Sequence, residues 1–169
     1  IHGVIRVVGL SNDVGGSLLA PDSEGQLRAM RHAYDRAGWS PSTIHLVECH
    51  GTGTPAGDAV EISSLTQCRQ EAGAAGCGIG SVKSNIGHLV TAAGAAGLVK
   101  VLLGFRHGVL PPSANFAPER AIDPLVRSSF EVVDTAREWP RPSDRGRRAA
   151  ISGFGFGGIN AHLLVEQWE

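Results

Sequence analysis

The residues best equipped for chemistry fall in three short runs. The first is His50-Gly51-Thr52-Gly53-Thr54, where an imidazole precedes two hydroxyls and two glycines that let a ligand approach the backbone. The second is Lys83-Ser84-Asn85-Ile86-Gly87-His88, with a cation and a second imidazole five residues apart. The third is Gly153-Phe154-Gly155-Phe156-Gly157-Gly158, whose peptide N–H groups can gather round an anion. A neutral imidazole donates a hydrogen bond to a developing oxyanion, so the three together suit chemistry that builds negative charge on oxygen. Taken singly, each has a plainer reading. A lone histidine serves a core, and a glycine loop suits phosphate equally well. No Walker lysine pattern is present, however, and no G-x-G-x-x-G follows the first strand. The two histidines have no third ligand at a useful spacing, so no metal site is expected.

Each run must be held at the end of a strand, the edge at which open α/β sheets bind ligands. Residues 4–8 read as a first strand and residues 11–21 as a Gly/Asn/Asp loop. Residues 22–38 have helical spacing and stop at Gly38. The β-branched, apolar residues 43–49 read as a buried strand running into His50. Asp58 and Glu61 stand at capping-box spacing and predict a helix through about Gln70. A short strand over 77–82 leads to Lys83, and an Ala/Gly-rich helix over 89–105 follows at once. That would put His88 at a positive helix end, which favours the uncharged ring. Pro111, Pro112, Pro118 and Pro124 predict an irregular passage, followed by strands over 130–133, 149–152 and 161–166. Strand–helix alternation that gives way to antiparallel strands predicts a layered α/β fold with a mixed sheet.

The 169 residues are enough for one domain with a real core, and the 23 glycines are about twice the ordinary share. A net charge of −1 implies no phosphate-tracking surface, so Arg141, Arg145, Arg147 and Arg148 read as a solvated loop and no nucleic-acid partner is expected. Cys49, Cys68 and Cys77 lack C-x-x-C spacing, which fits neither a disulfide framework nor a zinc site and agrees with a reducing, cytoplasmic setting. The longest apolar stretch contains Lys100 and many small residues, so a helix buried in protein is expected rather than a membrane span. The chain starts at Ile1, almost directly on an apolar run, and reads as part of something longer.

In series, three motifs are recognisable. They are Val47-Glu48-Cys49-His50-Gly51-Thr52-Gly53-Thr54 with Gly57-Asp58, then 80–88, then 153–158 with Asn160-Ala161-His162. Together they resemble the C-terminal half of a β-ketoacyl synthase, the ketosynthase domain of polyketide and fatty-acid synthases in the thiolase superfamily. Arg106-His107-Gly108-Val109-Leu110-Pro111-Pro112 is similar to modular polyketide synthases. The resemblance covers essentially all of residues 1–169, read as a single domain. It implies a thiolase-like layered αβα architecture with a mixed five-stranded sheet, one half of an αβαβα ketosynthase.

The implied reaction is decarboxylative Claisen condensation of a malonyl-type extender with an enzyme-bound acyl thioester at a Cys-His-His site. The resemblance makes His50 and His88 the two histidines, which polarise the extender carbonyl and steady the enolate. Lys83 then holds the network together with Glu61, and Thr52 and Thr54 hydrogen-bond the phosphopantetheine arm. Phe156 supplies an oxyanion-hole N–H and a gating ring with Phe154 alongside, and Asn160 is grouped with the substrate-binding residues as a brace of that loop. Substrates arrive on the phosphopantetheine of acyl carrier protein, with no bound cofactor and a homodimer formed through the full domain. Two departures matter: Ile159 stands where the family commonly has threonine, and no Ser-rich nucleophile motif is present. Cys49, Cys68 and Cys77 are therefore expected to be structural, with the nucleophile in an upstream N-terminal half and residues 1–169 inactive alone. The alternatives are a decarboxylating ketosynthase variant and a non-catalytic, chain-length-factor-like docking partner.

Overall fold

A computed structural model describes residues 1–15 and 21–168; of the predicted loop over 11–21, residues 16–20 lie outside the described part. In chain order the elements are β1 (Gly3–Asn12), α1 (Ser23–Ala37), β2 (Leu46–Glu48), α2 (Pro55–Glu71), β3 (Gly78–Gly80), α3 (Lys83–Ile86), α4 (Ala93–His107) and β4 (Val109–Leu110). They continue with α5 (Asp123–Val126), β5 (Glu131–Val132), β6 (Arg137–Glu138), β7 (Arg148–Gly155) and β8 (Ile159–Gln167). The main sheet has six strands in the order β1-β8-β7-β2-β3-β5. Its β1-β8-β7 side is antiparallel, whereas β7, β2, β3 and β5 run parallel. The sheet has six strands rather than the five implied by the resemblance, and the strand expected over 130–133 is among them as the two-residue β5, which pairs with β3 through Gly78 and Ile79. A second, two-stranded sheet pairs β4 with β6 where an irregular passage was expected.

Local signals set the first helix. The Asp22 side chain accepts from the Glu24 N–H at 2.9 Å, and Gly38, at φ 65°, closes the last turn on Asp35 and Tyr34. The short strands β2 and β3 are buried throughout, as expected of parallel strands covered on both faces. On one face α1 and α2 bring Leu27, Met30, Tyr34, Ile62 and Leu65 onto Val47, Ile79, Ala150 and Leu164. On the other, α4 seats Val101 and Phe105 against Leu46, Ile151, Val165 and Trp139. The result is a three-layered αβα unit.

Part of that second face is left open. Val99 and Leu103 on the outer side of α4, and Val8, Leu10 and Ile159 on the sheet, are all at least one-third exposed. Among the described residues no helix is long and apolar enough to cross a membrane.

Three local expectations change. Helix α2 opens at Pro55 with no side-chain cap bond from Thr54, and Glu61 turns away from its own helix end instead of boxing it with Asp58. The helix expected over 89–105 starts late, at Ala93. α3 ends at Gly87 (φ 78°), and a 3₁₀ turn over Val90–Ala92 precedes α4. The arginine-rich loop is also better tied down than a solvated loop. Arg147 donates to the Trp139 carbonyl and to Gln167, while Arg148 pairs with Glu166 and lies 3.9 Å over the Trp39 ring.

Candidate active site

The sheet carries His50 just past β2 and holds it by its backbone. The Glu61 carboxylate reaches across from α2 and accepts the N–H of His50 at 2.8 Å and that of Gly51 at 2.9 Å. Glu61 is 3% exposed, and burial pushes its carboxyl up to about 7, against the pull of those two N–H groups. Near that pH it takes a proton, one oxygen stops accepting, and the His50 loop loses half of its anchor. We expect kcat in the full-length protein to show an acid limb near pH 7, which flattens in Glu61→Gln. A limb that stays in place in that variant would assign it to another group.

The two imidazoles meet edge to face, with ring centroids 5.7 Å apart and an interplanar angle of 83°. Phe154, whose side chain also packs on the α1/α2 core, stands 5.6 Å from the His50 ring. Burial, with the positive charge of Lys83 adding to it, lowers the His50 pKa to about 4, so its ring is uncharged at neutral pH.

His88 precedes α4 by five residues, too far for the helix end to act on it as expected. Its Nδ1 instead accepts the Val90 N–H at 3.0 Å, which leaves the ring proton on Nε2 as a donor. That N–H is aimed by an uncommon backbone: Val90 is β-branched and sits at φ 51°.

Lys83 opens α3 half-buried, and burial lowers its pKa while Glu48 and Glu61 work against that. Thr52 and Thr54 lie exposed on the loop after His50, their Oγ1 atoms 3.1 Å apart. The third run is a hairpin: its first glycines extend β7 and its last residues make the turn into β8. Phe156 projects from that turn, 81% exposed. Asn160 is buried beneath it, its amide nitrogen donating to Asp13 Oδ1 at 2.7 Å and to the Gly158 carbonyl at 3.1 Å. It braces the turn, and it does so from below rather than among the exposed threonines.

The sequence motifs do not point to a second carboxylate that the fold brings in. Glu48, on β2, accepts the Val82 N–H and pairs with Lys100 of α4 at 2.9 Å, both side chains buried. The only sign of it in the sequence is a charge inside an apolar helix. The three cysteines are free: Cys49 and Cys68 are buried and Cys77 partly so. Among the described residues no three His, Cys, Asp or Glu side chains cluster as metal ligands would.

The segment that brings His50 and His88 together beside a glycine hairpin matches known sequence families along nearly its whole length. The family described as "Beta-ketoacyl synthase, C-terminal domain" matches residues 2–117, and "Ketoacyl-synthetase C-terminal extension" matches residues 118–169. The chain belongs to the β-ketoacyl synthase family. It is 41% identical over 177 residues to a polyunsaturated fatty acid synthase of Thraustochytrium sp., covering all of this chain and 6% of that protein. It is 43% identical over 154 residues to a phenolphthiocerol/phthiocerol polyketide synthase of Mycobacterium tuberculosis, covering 90% of this chain and 8% of that one.

Among solved structures, the ketosynthase from module 1 of the bacillaene synthase of Bacillus amyloliquefaciens superposes with a TM-score of 0.93 at 38% identity, over 100% of this chain and 32% of that one. A keto synthase–chain length factor, PfaC, superposes with a TM-score of 0.90 at 38% identity, over 100% of this chain and 18% of that one. The segment therefore has the thiolase-like ketosynthase fold, and it spans about a third of the ketosynthase chain.

Proposed function

We propose that residues 1–169 supply the histidine-bearing half of a β-ketoacyl-[acyl-carrier-protein] synthase that performs decarboxylative Claisen condensation. The observation that carries this reading is the facing pair of His50 and His88, the first uncharged at neutral pH and the second with Nε2 as donor. A malonyl-type thioester loses CO2, and the electron pair of the broken C–C bond becomes an enolate whose oxygen takes the hydrogen bonds from both imidazoles. The enolate carbon then attacks the acyl thioester held on a cysteine, the new C–C bond forms, and the cysteine leaves as thiolate. The electron pair set free by CO2 loss makes the new bond, so the reaction as written needs no redox cofactor. Thr52 and Thr54 offer hydroxyls to the phosphopantetheine arm of acyl carrier protein, and the Phe156 N–H and ring border the acyl side.

The nucleophile in this reading lies in the rest of the ketosynthase, which also covers the open apolar face of α4 and β1. Both histidines and Lys83 are in place, which favours a condensing or decarboxylating enzyme over a non-catalytic chain-length-factor role. The test is covalent. Burial raises the Cys49 thiol well above its ordinary range and lifts Cys68 and Cys77 to about 11, so none of them is a ready thiolate at pH 7. When the full-length protein is treated with a thiol-directed ketosynthase inhibitor and peptide-mapped, the label is expected outside residues 1–169. Selective labelling of Cys49 would overturn the assignment.

A further inference from the structure

We propose that Glu48 and Lys100 form a positioning pair that sets the spacing of the two histidines, an inference that rests on the condensing role given to His50 and His88. Three parts of the site converge on this carboxylate. Glu48 is the last residue of β2, two residues before His50. Its Oε1 accepts the N–H of Val82, the residue that opens the Lys83–His88 segment, at 2.5 Å. Its Oε2 lies 2.9 Å from Lys100 Nζ, on α4, the helix that follows His88 in the chain.

The glycine at position 97 brings that helix in close: a Cβ there would stand 3.0 Å from Glu48 Cγ. Behind the pair, Ser113 Oγ accepts the Ser81 N–H at 3.0 Å, so the loop is held on both sides of the Val82 bond. One carboxylate thus links the strand bearing His50, the loop bearing Lys83 and the helix following His88.

Such a pair is a poor stability device. Glu48 is 2% exposed and Lys100 9%, and taking two charges out of water costs about as much as their attraction returns. Burial pushes the Glu48 carboxyl up, and Lys100 and the Val82 N–H offset this only in part. The Glu48 charge also acts on Lys83, whose protonated form it favours. Removing both charges together should therefore spare the fold while releasing the site.

The experiment compares Glu48→Gln/Lys100→Met, Lys100→Arg and wild type in the full-length ketosynthase, with His50→Ala and His88→Ala in the same assay. We expect the double variant to unfold at the wild-type denaturant midpoint and to lose about 10- to 100-fold in kcat, the scale of a misplaced catalytic group, with KM within about twofold. With both charges gone the basic limb of the pH profile should move to lower pH, because Glu48 favours the protonated Lys83 more than Lys100 opposes it. Lys100→Arg, which keeps the cation, should restore kcat to near wild type.

A double variant with wild-type kcat and an unmoved limb would overturn the pairing. If it does not fold, Glu48→Gln/Lys100→Gln decides, since it keeps the Val82 acceptor and leaves no lone buried charge; the same fall and shift support the pair, and their absence sinks it. The histidine arms separate the two claims. Activity that survives both alanines removes the condensing role itself, whereas lost activity there with unaffected Glu48 and Lys100 variants removes only the pair.

Discussion

Decarboxylation of a malonyl thioester by the full-length protein is expected to fall by about 10²- to 10³-fold when either His50 or His88 becomes alanine, the cost of one missing oxyanion donor. The geometry makes the two losses comparable. The ring centroids stand 5.7 Å apart, the edge of one ring toward the face of the other, so both imidazoles border one site, and in the proposed reaction the same enolate oxygen takes a bond from each. The double alanine variant should be little worse than the worse single, because residues that stabilise one charge act as a unit. Loading of the acyl group onto the nucleophile precedes enolate formation and is expected to fall by less. His50 also touches Phe154, so its variant needs a circular-dichroism check that the sheet is intact. Neither loss should be reversed by lowering the pH to 5, since the His50 ring in the wild type is charged only near pH 4. Decarboxylation that persists with both imidazoles gone would end the assignment.

Gly9→Val is the second large effect, and it falls on the fold. Helix α1 lies so close to β1 that a Cβ on Gly9 would stand 2.0 Å from the Ala29 carbonyl oxygen and 2.8 Å from the Ala33 nitrogen. Those are helix backbone atoms, so no rotamer change relieves the clash and the whole helix must lift. Lifting it opens the cluster of Leu27, Met30 and Tyr34. Overpacking a core costs about 1–3 kcal/mol when side chains absorb it. With backbone on the other side we expect at least about 4 kcal/mol, a large share of the roughly 5–15 kcal/mol that holds a typical domain together. Chemical denaturation of the full-length protein should show Gly9→Ala with a lowered midpoint and Gly9→Val lower still or insoluble. A valine variant that unfolds at the wild-type midpoint would mean that α1 is not seated as described.

What is legible in the sequence follows from how local each cause is. Asp22 and Gly38 bound α1 because a cap and a left-handed stop act within three or four residues. The three motifs can be placed at strand ends because apolar runs precede them, and the structure puts His50 and the hairpin there. Glu61 cannot be read the same way. Its spacing from Asp58 suits a helix cap, but its partners are the N–H groups of His50 and Gly51, and only the packing of α2 beside β2 brings them together. Lys100 stands out as a charge in an apolar helix, yet nothing in its neighbourhood names Glu48, more than fifty residues earlier. The two-residue strands β4 and β6 are too short to show any periodicity, which is why the small second sheet is not expected from it, whereas β5 falls within the strand read over 130–133. The break between His88 and α4 is hidden for another reason: Val90 adopts a backbone conformation that valine rarely takes.

The pairing of β1 with β8 sets a timetable for the ribosome. Gly3 lies opposite Gln167 and Asn12 opposite Ile159, so the sheet partner of β1 among the described residues is one of the last parts of this segment to be made. At about 5–20 residues per second, β1 waits roughly 10 to 30 s with its hydrogen-bonding edge unmet. Val4, Ile5, Val7 and Val8 then form an apolar, β-branched stretch that any other nascent strand can recruit. Arg6 interrupts it and later closes on Glu166, so one residue both guards the waiting strand and confirms its arrival. Stop codons or pauses just before Ile159 should therefore harm yield far more than the number of residues lost would suggest.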